Sequence, residues 1–490
     1  TESGTLYFCR ADPATRLHSI YRSKMVEGKY AEPEKLPVEV NSGQSQFNAW
    51  ISPLEDRIIV PVAGHPENLG QVDYWLCRRN SDDSWQQPLN LGPLVNDGSG
   101  QSWSPYVSPD GKTFFFMSSR SVGPAMSWPV SWSELQHRHL APGSGRPGIF
   151  AMKAGFLDDL ENGTPDAGLK SAGPLKIDTP YRGKPGRYWG QTLPGLEPEI
   201  FAPGVISTGL GERDVCLSSD GRFLLYGVMD LGLATIMISQ WDGSGWTEPV
   251  TAPWHKDKTF ACIEPTFTQD GQWVFFQSTK AAPGQVQGRG WETQNLYRSH
   301  WSDGRWSEGE VLPAPVTTNA AEYFPSLASD GTLYFSREDD EGGVAVWTAK
   351  PLGTGFETPL QLPVEVNAGN DCYNAFVAPD QRFIIVCIAG HEENFGAADF
   401  WISFQNPEGQ WEAAQNMGPV FNSAQSRAIS AYLSPDEKIL FFSSTRQTEA
   451  PLMAGEKLTR SDLLEMHTQP GMGSSDVWWV DAAILKNFAH

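Results

Sequence analysis

At 490 residues the chain is long enough for two or three ordinary domains, and its formal charge of −22 leaves no basic face for nucleic-acid phosphates or an anionic membrane surface. No run reaches the ~18–20 apolar residues of a membrane-spanning helix, so no membrane insertion is expected, and Thr1 is not followed by a charged-then-apolar leader, as in a processed exported chain or a cytosolic one. With 48 Gly, 37 Pro and few long helical patterns, the composition favours an all-β chain.

From the N-terminus onward, eight apolar runs start near Leu6, Arg57, Thr113, Phe223, Trp273, Thr332, Phe383 and Ile439. Most open behind a Ser/Ala-x-Asp tight turn, as in SPDGKTFFFMSSR (108–120), SSDGRFLLYGVMD (218–230), TQDGQWVFFQSTK (268–280), ASDGTLYFSRE (328–338), APDQRFIIVCIAG (378–390) and SPDEKILFFSSTR (434–446). Asp-Gly between two β-rich runs is a strong hairpin signal, and its return at roughly 50–65-residue spacing marks a repeat architecture. Each unit reads as strand a before the turn, b after it, c ending in an aromatic and d around a Trp. The seventh supplies CYNAFVAP, RFIIVCIAG, ADFWISF and QWEAAQNMG.

The expectation is therefore a single β-propeller over 1–490, built of four-stranded blades, eight in number with seven as the alternative. Thr1 falls inside the first turn, so the first blade is expected without strand a. No Trp-led strand d follows SDVWWVDAAIL in the last blade, and the seam of the ring is not apparent. Six scattered cysteines (Cys9, Cys77, Cys216, Cys262, Cys372, Cys387) contain no CxxC pair and read first as buried free thiols.

A second regularity overlies the first. PVEVN stands at 37–41 and at 363–367, and His65 and His391, both in AGHxEN, are likewise 326 residues apart. The same shift relates Asp73 to Asp399, Trp75 to Trp401, Asn96 to Asn422 and Arg120 to Arg446. Blades 1–3 thus look like a copy of blades 6–8, and residues shared between the copies need no functional explanation.

The S-P-D-G turn with its aromatic-rich following strand resembles the WD40-like repeat of the TolB type. The passage Trp85–Asn96 and the closing SSDVWWVDAAIL are similar to the ends of bacterial exported proteins of that group. The resemblance covers nearly the whole chain and implies a propeller in the periplasm or secreted. Where that group commonly has an Arg/Gly-rich b–c connection, this chain has AGHPENLG and AGHEENFG.

Candidate site residues follow from the ring. Six residues before the turn Asp or its equivalent stand Asn48, Ser104, Asp214, Glu264, Phe324, Asn374 and Ser430, six of them polar inside apolar strands. Strand alternation points them toward the channel mouth, as a water-filled lining or as a ligand-facing ring. In the second case Asp214 and Glu264 are an acid/base pair, supported by Glu212, Arg213 and Glu322. Residues three, five and seven before the turn, such as Tyr323 and Tyr373, are expected between blades.

Three long b–c connections, 121–147, 281–294 and 447–475, fall on one rim as lids, and an insertion at 156–200 is a further cap. Trp103, Trp128, Trp132 and Trp291 are the rim tryptophans suited to stacking. His65 and His391 add imidazoles to that rim as candidate catalytic groups. Arg120 and Arg446 are expected to clamp an anion or to form structural salt bridges. His137 and His139 are ligand-binding candidates and a possible metal pair, although no zinc or calcium motif accompanies them, and no cofactor is expected.

These residues support a lidded pocket that binds or processes a carbohydrate or similar polar small molecule, by lyase or hydrolase chemistry if it is an enzyme. The alternatives are a protein-docking module of the TolB type and a non-catalytic sensor or structural propeller.

Overall fold

Strand b begins within one residue of its expected start in all eight repeats: Leu6–Ala11, Arg57–Ala63, Thr113–Ser118, Phe223–Asp230, Trp273–Ser278, Leu333–Glu338, Phe383–Ala389 and Ile439–Ser444. The turn before it is fixed by side chains. Ser108 Oγ donates to Asp110 and accepts the Thr113 N–H, and the same pattern recurs at Ser218/Asp220, Thr268/Asp270 and Ser434/Asp436. The computed structural model describes residues 1–98, 102–121, 126–141, 145–161, 181, 185–230, 233–256, 259–338, 342–448, 459 and 467–489.

The chain is all-β and of propeller type, with antiparallel meanders throughout. Where the sequence drew one eight-bladed ring, the structure divides the chain into two compact units, 1–125 with 140–176 and 126–139 with 177–490. Among its described residues unit 1 holds three larger sheets, whose b strands are the first three of the eight, and a two-stranded hairpin, Met25–Val26 with Lys29–Tyr30; the first of the larger sheets lacks strand a, as the position of Thr1 implied. Unit 2 holds the other five meanders, the third and fourth joined by a single parallel bridge between Val344 and Asp371.

In unit 2 the inner strands Glu212–Leu217, Cys262–Phe267, Glu322–Leu327, Asp371–Val377 and Ala428–Leu433 each lie beside the next, and the last lies beside the first. The missing strand d of the last sheet comes from the other direction. Glu199–Ile200 precedes the first sheet of the unit and pairs with Asp476–Asp481, Glu199 opposite Trp479 and Ile200 opposite Trp478. The described end of the 156–200 insertion thus supplies a strand rather than a cap, and residues 162–180 lie outside the described part.

Apolar side chains fill the wedges between successive sheets. Phe223, Leu225, Trp254, Phe276 and Trp306 form one such cluster in unit 2, and Ile59, Tyr74, Phe114 and Phe116 form another in unit 1. Five of the six cysteines are buried free thiols and Cys9 is exposed. The repeated Asn ending each PVEVN-like turn has a structural role. Asn41, Asn96, Asn367 and Asn422 each accept the backbone N–H and donate to the C=O of one strand-c residue, respectively Ile20, Tyr74, Val346 and Phe400.

Replacing Asn422 by Ala orphans the buried Phe400 N–H and leaves the Phe400 C=O with the Met417 N–H alone. The expected cost is about 2–4 kcal/mol in the chemical denaturation of unit 2, against a few tenths for an exposed control.

Candidate functional site

Every inner strand of unit 2 breaks register, four of them at the same place and the fifth slightly earlier. The ladder shifts between Arg213 and Cys216, Ile263 and Thr266, Tyr323 and Ser326, Tyr373 and Phe376, and Ala428 and Ser430. In four of the five strands the extra residue has left-handed backbone: Asp214 (φ +56°), Glu264 (+61°), Phe324 (+50°) and Asn374 (+50°). Such φ values are uncommon outside glycine and persist only where the surroundings enforce them. Here a neighbouring sheet does so. Asp214 N–H donates to Ser430 Oγ (3.3 Å) and Ser443 Oγ (3.1 Å), Phe324 N–H to Glu264 Oε2 (2.8 Å), and Asn374 N–H to Ser336 Oγ (2.9 Å).

The bulge overturns the expected alternation. Arg213, Ile263, Tyr323 and Tyr373, seven residues before the turn, line a cavity of about 380 Å³ at the mouth between the inner strands. Trp291, Asp371 and Arg427 complete its rim. The residues six before the turn mostly point below it: Asp214, Glu264, Phe324 and Ser430 border a void of only about 20 Å³. Glu264 and Asn374 also reach the mouth, whereas Asp214 does not line it.

Asp214 and Glu264 do meet, through Arg213. Its Nε donates to Asp214 Oδ2 (2.6 Å) and its Nη2 to Glu264 Oε1 (2.9 Å). Burial, with the nearby Asp214 charge, pushes the Glu264 carboxyl up to about 7 even against the Arg213 guanidinium. Both Glu264 oxygens have partners, Arg213 and the Phe324 N–H, so the carboxylate is held as a strut. Gly227 makes room for the node, since a Cβ there would lie 3.2 Å from both Arg213 Cγ and Asp214 Oδ2.

Glu212 and Glu322 stand apart from the mouth and close turns. Glu212 accepts from Thr208 Oγ1 and the Thr208 N–H, and Glu322 from the same two groups of Thr318 while pairing with Arg337. Burial lifts Glu212 to about 8, with the charge of Asp476 adding to it, and burial lifts Glu322 to about 7.

The expected histidines and rim arginines pack the fold instead. His65 and His391 lie against Trp75 and Trp401, and the Nδ1 of each accepts a loop N–H, from Glu67 and Glu393. Arg120, in unit 1, donates to the carbonyls of Leu94 and Val95 and sits over Phe116, while Arg446, in unit 2, donates to Val420 O and sits over Trp478. Asn48 reaches Ser104 within unit 1, where Trp103 also lies.

Of the segments expected as lids, 281–294 contributes Trp291 and Gln294 to the lining of the mouth. It is cross-braced by Gln287 and Thr293, and its Trp291 stands 42% exposed on the mouth. Within 121–147, residues 126–139 belong to unit 2 and follow the outer edge of its first sheet: Ser131 bridges Val250, and helix α1 (Trp132–Leu140) buries Trp132 there. Trp128 packs on His255. His137 is half-buried in α1, and both ring nitrogens of His139 have partners, Asp230 Oδ2 (2.5 Å) and His467 O (2.8 Å). Most of 447–475 lies outside the described residues.

The sequence reading missed Tyr323, Tyr373, Asp371 and Arg427 as site residues. The signal that could have found them is an Asp, Glu, Phe or Asn recurring at one inner-strand position, which marks a bulge rather than a plain strand.

No protein-family model and no curated protein matches the chain. Solved structures similar to it include the putative TolB from Agrobacterium tumefaciens, at 11% identity over 55% of this chain and 89% of that one (TM-score 0.34). TolB from Acinetobacter baumannii is 12% identical over 86% and 81% (TM-score 0.27). A post-proline cleaving enzyme from Rickettsia typhi is 10% identical over 91% of this chain and 57% of its own (TM-score 0.29). No helix among the described residues is long and apolar enough to cross a membrane.

Carboxyls with raised values bind more protons folded than unfolded, so their contribution is full below the ordinary value of 4.5 and is lost as pH climbs through about 7 to 8. Unit 2 should therefore melt lower at pH 8 than at pH 5. Glu264→Gln, which cannot ionise, should narrow that gap in thermal melts.

Proposed function

We propose that the chain is a non-catalytic recognition module whose five unit-2 sheets form a closed five-bladed propeller, sealed by the Glu199–Ile200 strand, and that a polypeptide partner docks at its mouth. The observation that carries this reading is the make-up of the mouth. It offers aromatic faces (Tyr323, Tyr373, half-exposed Trp291) and an exposed arginine, Arg427, which lies over Tyr373 and donates to its hydroxyl at 3.4 Å. Aromatic and arginine side chains are the usual anchors of a protein interface.

The reactive groups that acid/base chemistry needs are engaged elsewhere. Glu264 is held at both oxygens, Asp214 is turned below, and the imidazoles of His65 and His391 brace loops. A saccharide is the second reading, favoured by the three aromatic rings at the rim, on which a sugar face can stack. The resemblance of the repeats to exported TolB-type proteins supports a site of action in the periplasm or outside the cell.

A photo-crosslinker placed at position 291 tests the reading. The polypeptide it captures, purified separately, should bind the wild type and lose about tenfold or more in Trp291→Ala and Arg427→Glu. Calorimetric binding of an oligosaccharide, with no polypeptide adduct, would replace docking by the second reading.

A further inference from the structure

The duplication allows unit 1 to be compared with its own copy. In unit 2 the wedge between the fourth and fifth sheets is closed by aromatic rings. Phe383 and Phe404 face each other across two strands with ring centres 6.0 Å apart, and Phe376 lies 6.3 Å from Phe383 and 5.9 Å from Tyr432. Shifting by 326 residues gives the matching positions in unit 1: Trp50 for Phe376, Tyr106 for Tyr432, and the cross-strand pair Arg57 and Arg78 for Phe383 and Phe404.

The two arginines do not fill the wedge. They turn to Asp158 of helix α2 (Phe156–Glu161), Arg57 at 3.1 Å and Arg78 at 3.8 Å. At the strand-pairing register that aligns Thr113 with Ile439, Lys486 is the unit-2 counterpart of Asp158, so the ion cluster belongs to unit 1 alone. What remains is a cavity of about 730 Å³ walled by Trp50, Ile51, Val107 and Leu157 and flanked by Tyr106 (50% exposed) and Leu54 (72% exposed).

We propose that this pocket binds a small aromatic molecule of one or two rings carrying a hydrogen-bond acceptor. The copy shows what fits: the same space in unit 2 is occupied by two benzyl side chains. Trp50 and Tyr106 offer ring faces for stacking, and Arg57, which donates to Asp158 through Nη1, has further N–H groups for an acceptor, in a lining that also holds the carboxylates of Glu2, Asp56 and Asp158. The site is in unit 1 and does not depend on the reading of the mouth.

The test uses the whole chain and 4-fluorophenylacetate, followed by fluorine NMR. Wild type should bind it saturably in the millimolar range. Arg57→Phe with Arg78→Phe, which restores the rings of the copy, should weaken binding about tenfold or more with no loss in melting temperature. Leu54→Asp places at an exposed position the residue that unit 2 carries there (Asp380), cannot disturb the core, and should weaken binding several-fold. Non-saturable binding by the wild type overturns the proposal, and so does unchanged binding in either folded variant.

Discussion

The left-handed bulge in the inner strands of unit 2 is the constraint on which the rest depends. A carboxylate, phenyl or amide residue is placed in a conformation that glycine would adopt freely, and at Asp214, Phe324 and Asn374 the freed N–H is satisfied by a side chain of the adjoining sheet. Each of these bonds therefore does two things. It pins one strand's geometry, and it ties that sheet to its neighbour. Glu264 does both with a charged group, accepting from Phe324 on one side and from Arg213 on the other.

That arrangement explains why acidic residues at the centre of unit 2 need not be catalytic. A carboxylate with a raised value in a cleft is often an active-site acid. In this chain both oxygens of Glu264 are bound and Asp214 is turned toward a void too small for a ligand. The ring one residue earlier supplies Arg213, Tyr323 and Tyr373 to the mouth, which Asp371 and Arg427 also line.

Much of the fold was legible because the turn is local. Ser or Thr two residues before Asp fixes a hairpin whatever surrounds it, and strand b starts where that motif ends, as at Thr113, Phe223 and Ile439. The division into units was less legible. The 326-residue duplication pointed to a three-sheet module, but the strand that completes the last sheet, Glu199–Ile200, is two residues long and lies far from its partner in sequence. The site was half legible: Arg213, Glu264, Asn374 and Trp291 do gather at one cavity. Tyr323 and Tyr373 were assigned to the wrong side because strict alternation does not survive a residue with positive φ. Arg120, Arg446, His65 and His391 were singled out by repetition, which duplication of packing residues also produces.

The central claim is that the bulge sends the seventh residue before the turn to the mouth and the sixth below it. Thiol labelling reads this directly. In a background with the exposed Cys9 replaced by Ser, single cysteines at positions 323, 324 and 373 are exposed to a small charged thiosulfonate reagent. Rapid modification at 323 and 373, with 324 protected, is the predicted result; rapid modification at 324 with 323 and 373 protected would contradict the account.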